Sequence, residues 1–302
     1  AAYAGRWVAL VRGQVVAQGE TREAAFLAAR AVRPKEPLDV VYMSETLAIF
    51  HSPLMLLLRQ QLPADQVLYL VGGAVRDAIL GREVHDLDFA VPQNALKLAR
   101  TLADKLSAAF YPLDVENDTA RLVIIHADGH RDILDFAGFR GGCLEDDLRG
   151  RDFTLNAIAL DLRSGELLDP LGGLADLRAK RLRACSETSM SDDPVRILRA
   201  VRQAASYSLN IDKTTREWMK AAVPGLDNVS AERSRDEILK ILAGPRPDTA
   251  LRALDLLGVL PHILPELAAM KGVTQSPPHV QDVWSHTLSV LRHLEDILDL
   301  LA

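Results

Sequence analysis

Asp86 and Asp88 flank Leu87 in the first third of a 302-residue chain. On a β-strand alternate side chains share a face, so both carboxylates would point the same way. Two carboxylates on one face repel unless a cation lies between them. A hard divalent ion such as Mg2+, which takes oxygen ligands, suits such a pair. Just upstream, Leu70-Val71-Gly72-Gly73-Ala74-Val75-Arg76-Asp77 reads as a strand running through two glycines into a helix. Glycines let the backbone approach a ligand closely, and a helix start offers unpaired N–H groups to an anion. Arg76 and Arg82 add positive charge for a phosphate. The combination points to a metal and phosphate site. Taken alone, Asp86-Leu87-Asp88 reads more readily as a solvated strand end; the glycine turn beside it gives the pattern its meaning. Neither a Walker A sequence nor a G-x-G-x-x-G run occurs.

Two later stretches carry polar groups at useful spacings. In Arg151-Asp152-Phe153-Thr154-Leu155-Asn156-Ala157, the residues Arg151, Asp152 and Asn156 offer a charge, an acceptor and an amide for a phosphate and a ribose. By themselves they read slightly better as a salt-bridged turn before a buried element. In Asp192-Asp193-Pro194-Val195-Arg196, Asp193 before Pro194 predicts a helix cap with proline in the first turn. Arg196 and then Arg199 continue the same helical face. A sharper reading is also open. An Asp acceptor beside an Arg donor matches the Watson–Crick edges of cytosine and adenine and leaves uracil and guanine with unpaired polar groups. Farther on, Glu232, Arg233, Glu237 and Lys240 read as an ion network on a solvated helix face.

The elements that would position these groups follow from periodicity and punctuation. Trp7–Val11 and Gln14–Gln18 around Arg12-Gly13 predict a hairpin, Thr21 a capped Ala-rich helix, and Leu38–Tyr42 a third strand. This ββαβ module, residues 1–44, shows no chemistry-bearing cluster. Strands are predicted at Val67–Val71, Leu87–Val91, Leu122–Ile125 and Ile133–Phe136, and helices at Ala74–Leu80 and Ala95–Ala108. Leu155–Asp161 reads as strand or helix. From Leu182 onward the pattern is helical, broken at Pro224-Gly225, Gly244–Pro247 and Ser276–Pro278.

Composition sets the class. Hydrophobic residues are 48% and charged residues 25%, as in soluble globular chains. Cys143 and Cys185 are too few for a disulfide framework or a Cys-rich zinc site, which fits a reducing cytoplasm. No apolar run is long enough to span a membrane. The chain starts without Met and stops inside a helical pattern, so it reads as part of a longer protein. Net charge is −6, yet Arg178–Lys240 holds 13 Lys and Arg against 9 Asp and Glu, a local +4 that can meet a phosphate backbone.

These motifs, in this order, resemble the class II nucleotidyltransferases, the family of tRNA CCA-adding enzymes and bacterial poly(A) polymerases. The resemblance covers roughly residues 50–302. It runs through Val71–Asp88, Arg151–Ala157, Asp169-Pro170-Leu171-Gly172-Gly173 with Asp176-Leu177 and Leu182-Arg183, then Asp192–Arg196 and Glu232–Glu237. Two positions depart from the family pattern: Gly150 stands where an Arg is usual, and Asp192 where a Glu is usual. Val283–Leu288 resembles the start of an HD domain, whose His-Asp pair would lie beyond residue 302; His279 and His286 are therefore read as structural.

The resemblance implies an α+β fold: a polymerase-beta-like nucleotidyltransferase head (45–185), a helical neck that reads the base and binds RNA (186–245), and a helical body with the start of an HD-like domain (246–302). It implies that Asp86, Asp88 and, on an adjacent strand, Asp135 hold Mg2+, with Asp86 and Asp88 catalytic. It implies that Gly72, Gly73 and Arg76 cradle the triphosphate, that Arg151, Asp152 and Asn156 meet ribose and phosphates, and that Asp193, Arg196 and Arg199 bind the incoming nucleotide. The implied partners are the tRNA 3′ acceptor end, CTP and ATP. Poly(A) or A-only addition with the same site, and a non-catalytic RNA-binding relative, are the alternatives.

Overall fold

The computed structural model describes residues 6–11, 14–34, 36, 38–43, 47–84, 86–126 and 128–301. The chain forms two compact units. One comprises Ala1–Asp147 and Ile158–Pro170, the other Leu148–Ala157 and Leu171–Ala302. The sequence reading ran the head continuously to residue 185; here residues 148–157 and those after 170 go with the second unit.

The first unit opens with strands β1 (Arg6–Val11) and β2 (Gln14–Gly19), the helix Arg22–Val32 and strand β3 (Asp39–Met43). They make an antiparallel sheet in the order β2-β1-β3, as expected of a ββαβ piece. The hairpin turn at Arg12-Gly13 lies outside the described residues. Thr21 caps the helix as predicted: its Oγ1 accepts from the Ala24 N–H at 3.1 Å. Ala25 and Ala29, one turn apart, are the buried contacts that let the helix lie close to the strands.

A seven-stranded mixed sheet follows. Its strands are β4 (Tyr69–Val71), β5 (Asp86–Val91), β6 (Ala109–Asp114), β7 (Thr119–Ile125), β8 (Arg131–Gly138), β9 (Ala159–Asp161) and β10 (Leu167–Leu168). The order is β10-β9-β4-β5-β8-β7-β6. Only β5 and β8 pair in parallel, which requires a crossover; the helix Ala95–Leu106 lies on it. That helix buries Leu98, Ala99 and Leu102 on one stripe against β7 and β8.

The strands alternate between a buried and a wetter face. Leu87, Phe89, Leu122, Leu134 and Phe136 are buried on one side, with the Phe89 and Phe136 rings stacked at 5.1 Å. Asp86, Asp88, Arg121 and Asp135 occupy the intervening positions. Strand β6 was not foreseen. It is the outermost strand and carries Pro112, a residue sheets tolerate at their edges.

The second unit is mainly helical and includes a two-residue parallel pair that the sequence did not announce. Strand β11 (Arg181–Leu182) pairs with β12 (Asn210–Ile211). Its principal helices are Gly173–Arg178, Arg196–Tyr207, Lys213–Ala222, Ala231–Leu242, Pro247–Leu256 and Val283–Leu301. The stretch read as strand or helix resolves into a 3-10 turn at Thr154–Asn156, followed by β9 in the first unit. Among the described residues no helix is long and apolar enough to cross a membrane.

Candidate active site

In the first unit the acidic pair sits where the strand period predicts. Asp88 pairs with Val71 of β4 on one side and with Asp135 of β8 on the other, and Asp135 pairs in turn with Arg121 of β7. Val71, Asp88, Asp135 and Arg121 therefore form one row across four strands. Asp86 lies two residues along the same face and is exposed; Asp88 is half-buried. Because Val71 is opposite Asp88, the chain enters the Gly72-Gly73 turn immediately beyond the acidic row. Gly72 has φ 77°, a left-handed conformation that favours glycine. A Cβ on Gly73 would sit 3.2 Å from Arg76 Nη2.

Arg76 is buried and its guanidinium binds Asp77 through Nε–Oδ1 at 3.0 Å and Nη2–Oδ2 at 2.7 Å. It packs beneath the glycine turn, where the sequence had placed it as a phosphate ligand.

Asp135, which the resemblance counts with Asp86 and Asp88 as a metal ligand, stands directly opposite Asp88 in the β5–β8 register. It accepts two hydrogen bonds from Arg121, Nε to Oδ1 at 2.7 Å and Nη2 to Oδ2 at 2.8 Å. The guanidinium pKa is raised, chiefly by these hydrogen bonds and further by the charges of Asp135, Asp86 and Asp88. Asp86 and Asp88 fit a divalent cation: Mg2+ is commonly held by one or two carboxylates, its other positions going to water and phosphate oxygens. Arg121 was not foreseen because the sequence places the start of its strand at Leu122, three residues after its actual start at Thr119.

In the second unit the nucleotide-binding candidates cluster around the turn at Gly150-Arg151. Asp152 is buried. Its Oδ1 accepts from the Phe153 N–H at 2.8 Å and from Asn156 Nδ2 at 2.9 Å, and Asn156 reaches Gln203 Oε1 at 3.2 Å. Asp152 Oδ2 is buried with no hydrogen bond, facing the charge of Arg199 Nη2 at 2.9 Å. Asp152 and Asn156 are thus in contact, and Arg199, expected with the base-reading pair, lies against Asp152.

Arg196 donates to three backbone carbonyls: Gly150 at 3.0 Å, Arg151 at 3.2 Å and Ser189 at 3.2 Å. Its Nε lies 3.9 Å from Asp193 Oδ2, so the two proposed base readers are neighbours. Asp193 does not cap the helix. The helix begins at Arg196 with no side-chain cap, and the Asp193 carboxylate binds Arg233 Nη2 at 2.7 Å. The ion network expected around Glu232–Lys240 thus reaches Asp193 through Arg233 and Arg202 through Glu237, the latter at 2.7 Å. Asp176 is fully buried and tied to Thr154, Arg181 and Arg183 at 2.6, 2.6 and 2.8 Å, which anchors the 3-10 turn of Thr154–Asn156.

Cys185 lies beside this cluster, and burial pushes its thiol up to about 12. A thiol so poorly ionised is no nucleophile.

Residues 68–183 match the family described as Poly A polymerase head domain, and residues 208–271 the one described as Probable RNA and SrmB- binding site of polymerase A. A CC-adding tRNA nucleotidyltransferase of Synechocystis is 41% identical over 212 residues, 68% of this chain and 50% of the relative. The chain belongs to the tRNA nucleotidyltransferase and poly(A) polymerase family. Another tRNA nucleotidyltransferase, the A-adding protein of Deinococcus radiodurans, is 38% identical over 231 residues, 74% of this chain and 51% of that one. Among solved structures of nucleotidyltransferases, the Thermotoga maritima CCA-adding enzyme in complex with tRNA aligns with a TM-score of 0.64 and 32% identity, over 77% of this chain and 54% of that chain. The chain spans about half the length of the curated nucleotidyltransferases it matches.

Proposed function

We propose that the chain carries the catalytic part of a tRNA nucleotidyltransferase, which transfers CMP or AMP from CTP or ATP to the 3′ end of tRNA and releases pyrophosphate. The observation that carries this reading is the row in which Val71, the last residue before the Gly72-Gly73 turn, stands opposite Asp88. A turn that admits close approach of a phosphate is thereby adjacent to two carboxylates on one face. The names of the relatives support the same reading: those quoted add C or A residues to tRNA.

Asp86 and Asp88 would hold the divalent cation, taken as Mg2+, whose charge offsets the phosphate oxygens and favours the ionised form of the attacking hydroxyl. The remaining work is positioning and charge. Gly72 and Gly73 bring backbone close to the triphosphate, and Arg76, packed beside Gly73, adds charge to that cradle. Arg151, Asp152 and Asn156 would meet ribose and phosphates, with Arg199 beside Asp152. Asp193 and Arg196 meet the base edge; to do so Arg196 exchanges one of its carbonyl contacts for the base. The basic stretch Arg178–Lys240 meets the acceptor end by shape and backbone.

The test is incorporation of labelled CTP and ATP, each alone and together, into tRNA trimmed at its 3′ end. Addition of C, A or both supports the reading and fixes which nucleotides are used. No incorporation by the full chain with any nucleotide, under conditions in which tRNA binds, would favour the non-catalytic alternative.

A further inference from the structure

The row that carries Asp88 continues past Arg121. Arg121 stands opposite Tyr111 of the outermost strand β6, so the row runs Asp88, Asp135, Arg121, Tyr111. The row beside it runs Asp86, Ile133, Val123, Ala109 across the same four strands. Two residues beyond Val123, on the same face, Ile125 stands opposite Arg131. Tyr111 is 52% exposed and Ile125 63%, and Arg131 is exposed too. The helix Ala95–Leu106 packs on the other face, where Arg100 covers the Phe110 ring at 5.3 Å. An aromatic ring, an aliphatic floor and a guanidinium thus extend outward from the acidic pair. We infer that this outer part of the face is the bed of the single-stranded RNA 3′ tail, with Tyr111 stacked on a base and Arg131 on a phosphate. The inference deepens the function proposed above and rests on it.

The direction follows from the chemistry. The Gly72-Gly73 turn leaves β4, which flanks β5 on one side; β8, β7 and β6 lie on the other. A triphosphate cradled by that turn has its leaving pyrophosphate on the β4 side. In phosphoryl transfer the attacking and leaving oxygens are roughly in line, so the attacking hydroxyl approaches from the β8 side. The strand that carries it then lies over β8, β7 and β6. Neighbouring strands are about 4.8 Å apart, so Tyr111 is about 14 Å from Asp88. At that distance it meets a base that precedes the terminal nucleotide, and the reacting one lies nearer the carboxylates. The residue types agree: single-stranded RNA is held by stacking on aromatic rings and by cations along its backbone. A second copy added as a further strand is disfavoured, because Pro112 denies β6 a backbone donor.

The probe is a tRNA with an unpaired 3′ tail in which 2-aminopurine replaces the nucleotide before the last. Bound to the full chain without nucleotide, its fluorescence is expected to be quenched by stacking. Tyr111→Ala should weaken binding about tenfold, the order of one base–aromatic stack, and leave the probe bright; Tyr111→Phe keeps the ring and should bind within about twofold of the parent. Arg131→Gln should lower the slope of log affinity against log salt by about 0.7, the share of one phosphate contact on a single strand. In incorporation assays Tyr111→Ala should raise KM for the RNA about tenfold and leave KM for CTP within about twofold. Should Tyr111→Ala fail to fold, Tyr111→Leu takes its place, filling the site without a flat ring. Unchanged affinity and quenching in a folded Tyr111→Ala, or an unchanged salt slope in Arg131→Gln, overturns the inference. So does a rise in KM for CTP equal to that for RNA, which would put the nucleotide on this face. Unchanged RNA affinity with an altered sedimentation mass would make the face a contact between copies and overturn it as well. A parent that binds no RNA sinks the functional reading itself, a result distinct from all of these.

Discussion

The carboxylate of Asp118 caps a helix that begins at Ala95, far from it in sequence. Oδ2 accepts from the Ala95 N–H at 2.7 Å and Oδ1 from the Leu96 N–H at 2.9 Å. Asn94, the residue before the helix, has φ 59° and makes no side-chain cap. A charged cap meets both the unpaired N–H groups and the positive end of the helix dipole. The position is enforced from β8: the Gly138 N–H donates to the Asp118 carbonyl at 3.1 Å, and a Cβ on Gly138 would lie 2.8 Å from Asp118 Oδ2.

Asp118→Ala is therefore expected to destabilise the chain by about 1–2 kcal/mol. Gly138→Ala should cost a comparable amount by displacing the same carboxylate. Because they act on one contact, the double variant should lose less than the sum. Urea denaturation of the four proteins measures this; strict additivity would mean that Gly138 matters for another reason.

Asp86→Asn and Asp88→Asn should each lower nucleotide incorporation by at least about a thousandfold, since a metal contributes several kcal/mol to charge stabilisation in the reaction. Neither should lower the melting temperature, because each change removes like-charge repulsion on a wet face. Single-turnover incorporation with a parallel melt checks both halves. Substantial turnover by either variant would rule out the two-carboxylate site.

Base choice divides Arg196 from Asp193. Arg196→Ala removes three hydrogen bonds to carbonyls and should relax discrimination against UTP and GTP by roughly tenfold to a hundredfold in relative kcat/KM. Asp193→Ala should change stability by less than about 1 kcal/mol, because it caps no helix and its Arg233 partner is largely exposed. Misincorporation of all four nucleotides by each variant is the measurement. An unaltered preference in Arg196→Ala would leave that residue with the single task of holding the Gly150-Arg151 turn.

The two cysteines should separate by reactivity. Cys143 is exposed, whereas the Cys185 thiol titrates only near 12. At pH 8 one thiol per native chain should react promptly with a disulfide reagent, and the second only after unfolding. The unfolded Cys185 ionises from about pH 9, below the folded group, so its contribution to stability falls as pH rises through that window. Two prompt thiols in the native protein would contradict the burial of Cys185.

What the sequence made legible is what depends on neighbours. Period-two alternation placed Asp86 and Asp88 on one face, and Thr21 capped its helix as the local rule expects. The failures share one cause: the deciding partner is distant. Asp-Pro at 193 predicts a cap, but Arg233, 40 residues on, takes the carboxylate. Arg121 went unnoticed because a polar residue preceding an apolar run reads as loop until Asp135 is seen opposite it. Strands β11 and β12 are two residues each and exist only by pairing with each other across an intervening helical stretch.

The sheet order has a consequence for how the chain is born. Leu70 of β4 finds one neighbour in Phe89 and the other in Leu160. At roughly 5–20 residues per second, the ribosome needs about 5–18 seconds to travel from the first of these strands to the last. Throughout that interval the glycine-turn strand has an open edge, the kind of edge that invites pairing with a stranger. The acidic face can be assembled from β4, β5, β7 and β8 well before then, so the future site forms early on a sheet that is not yet closed.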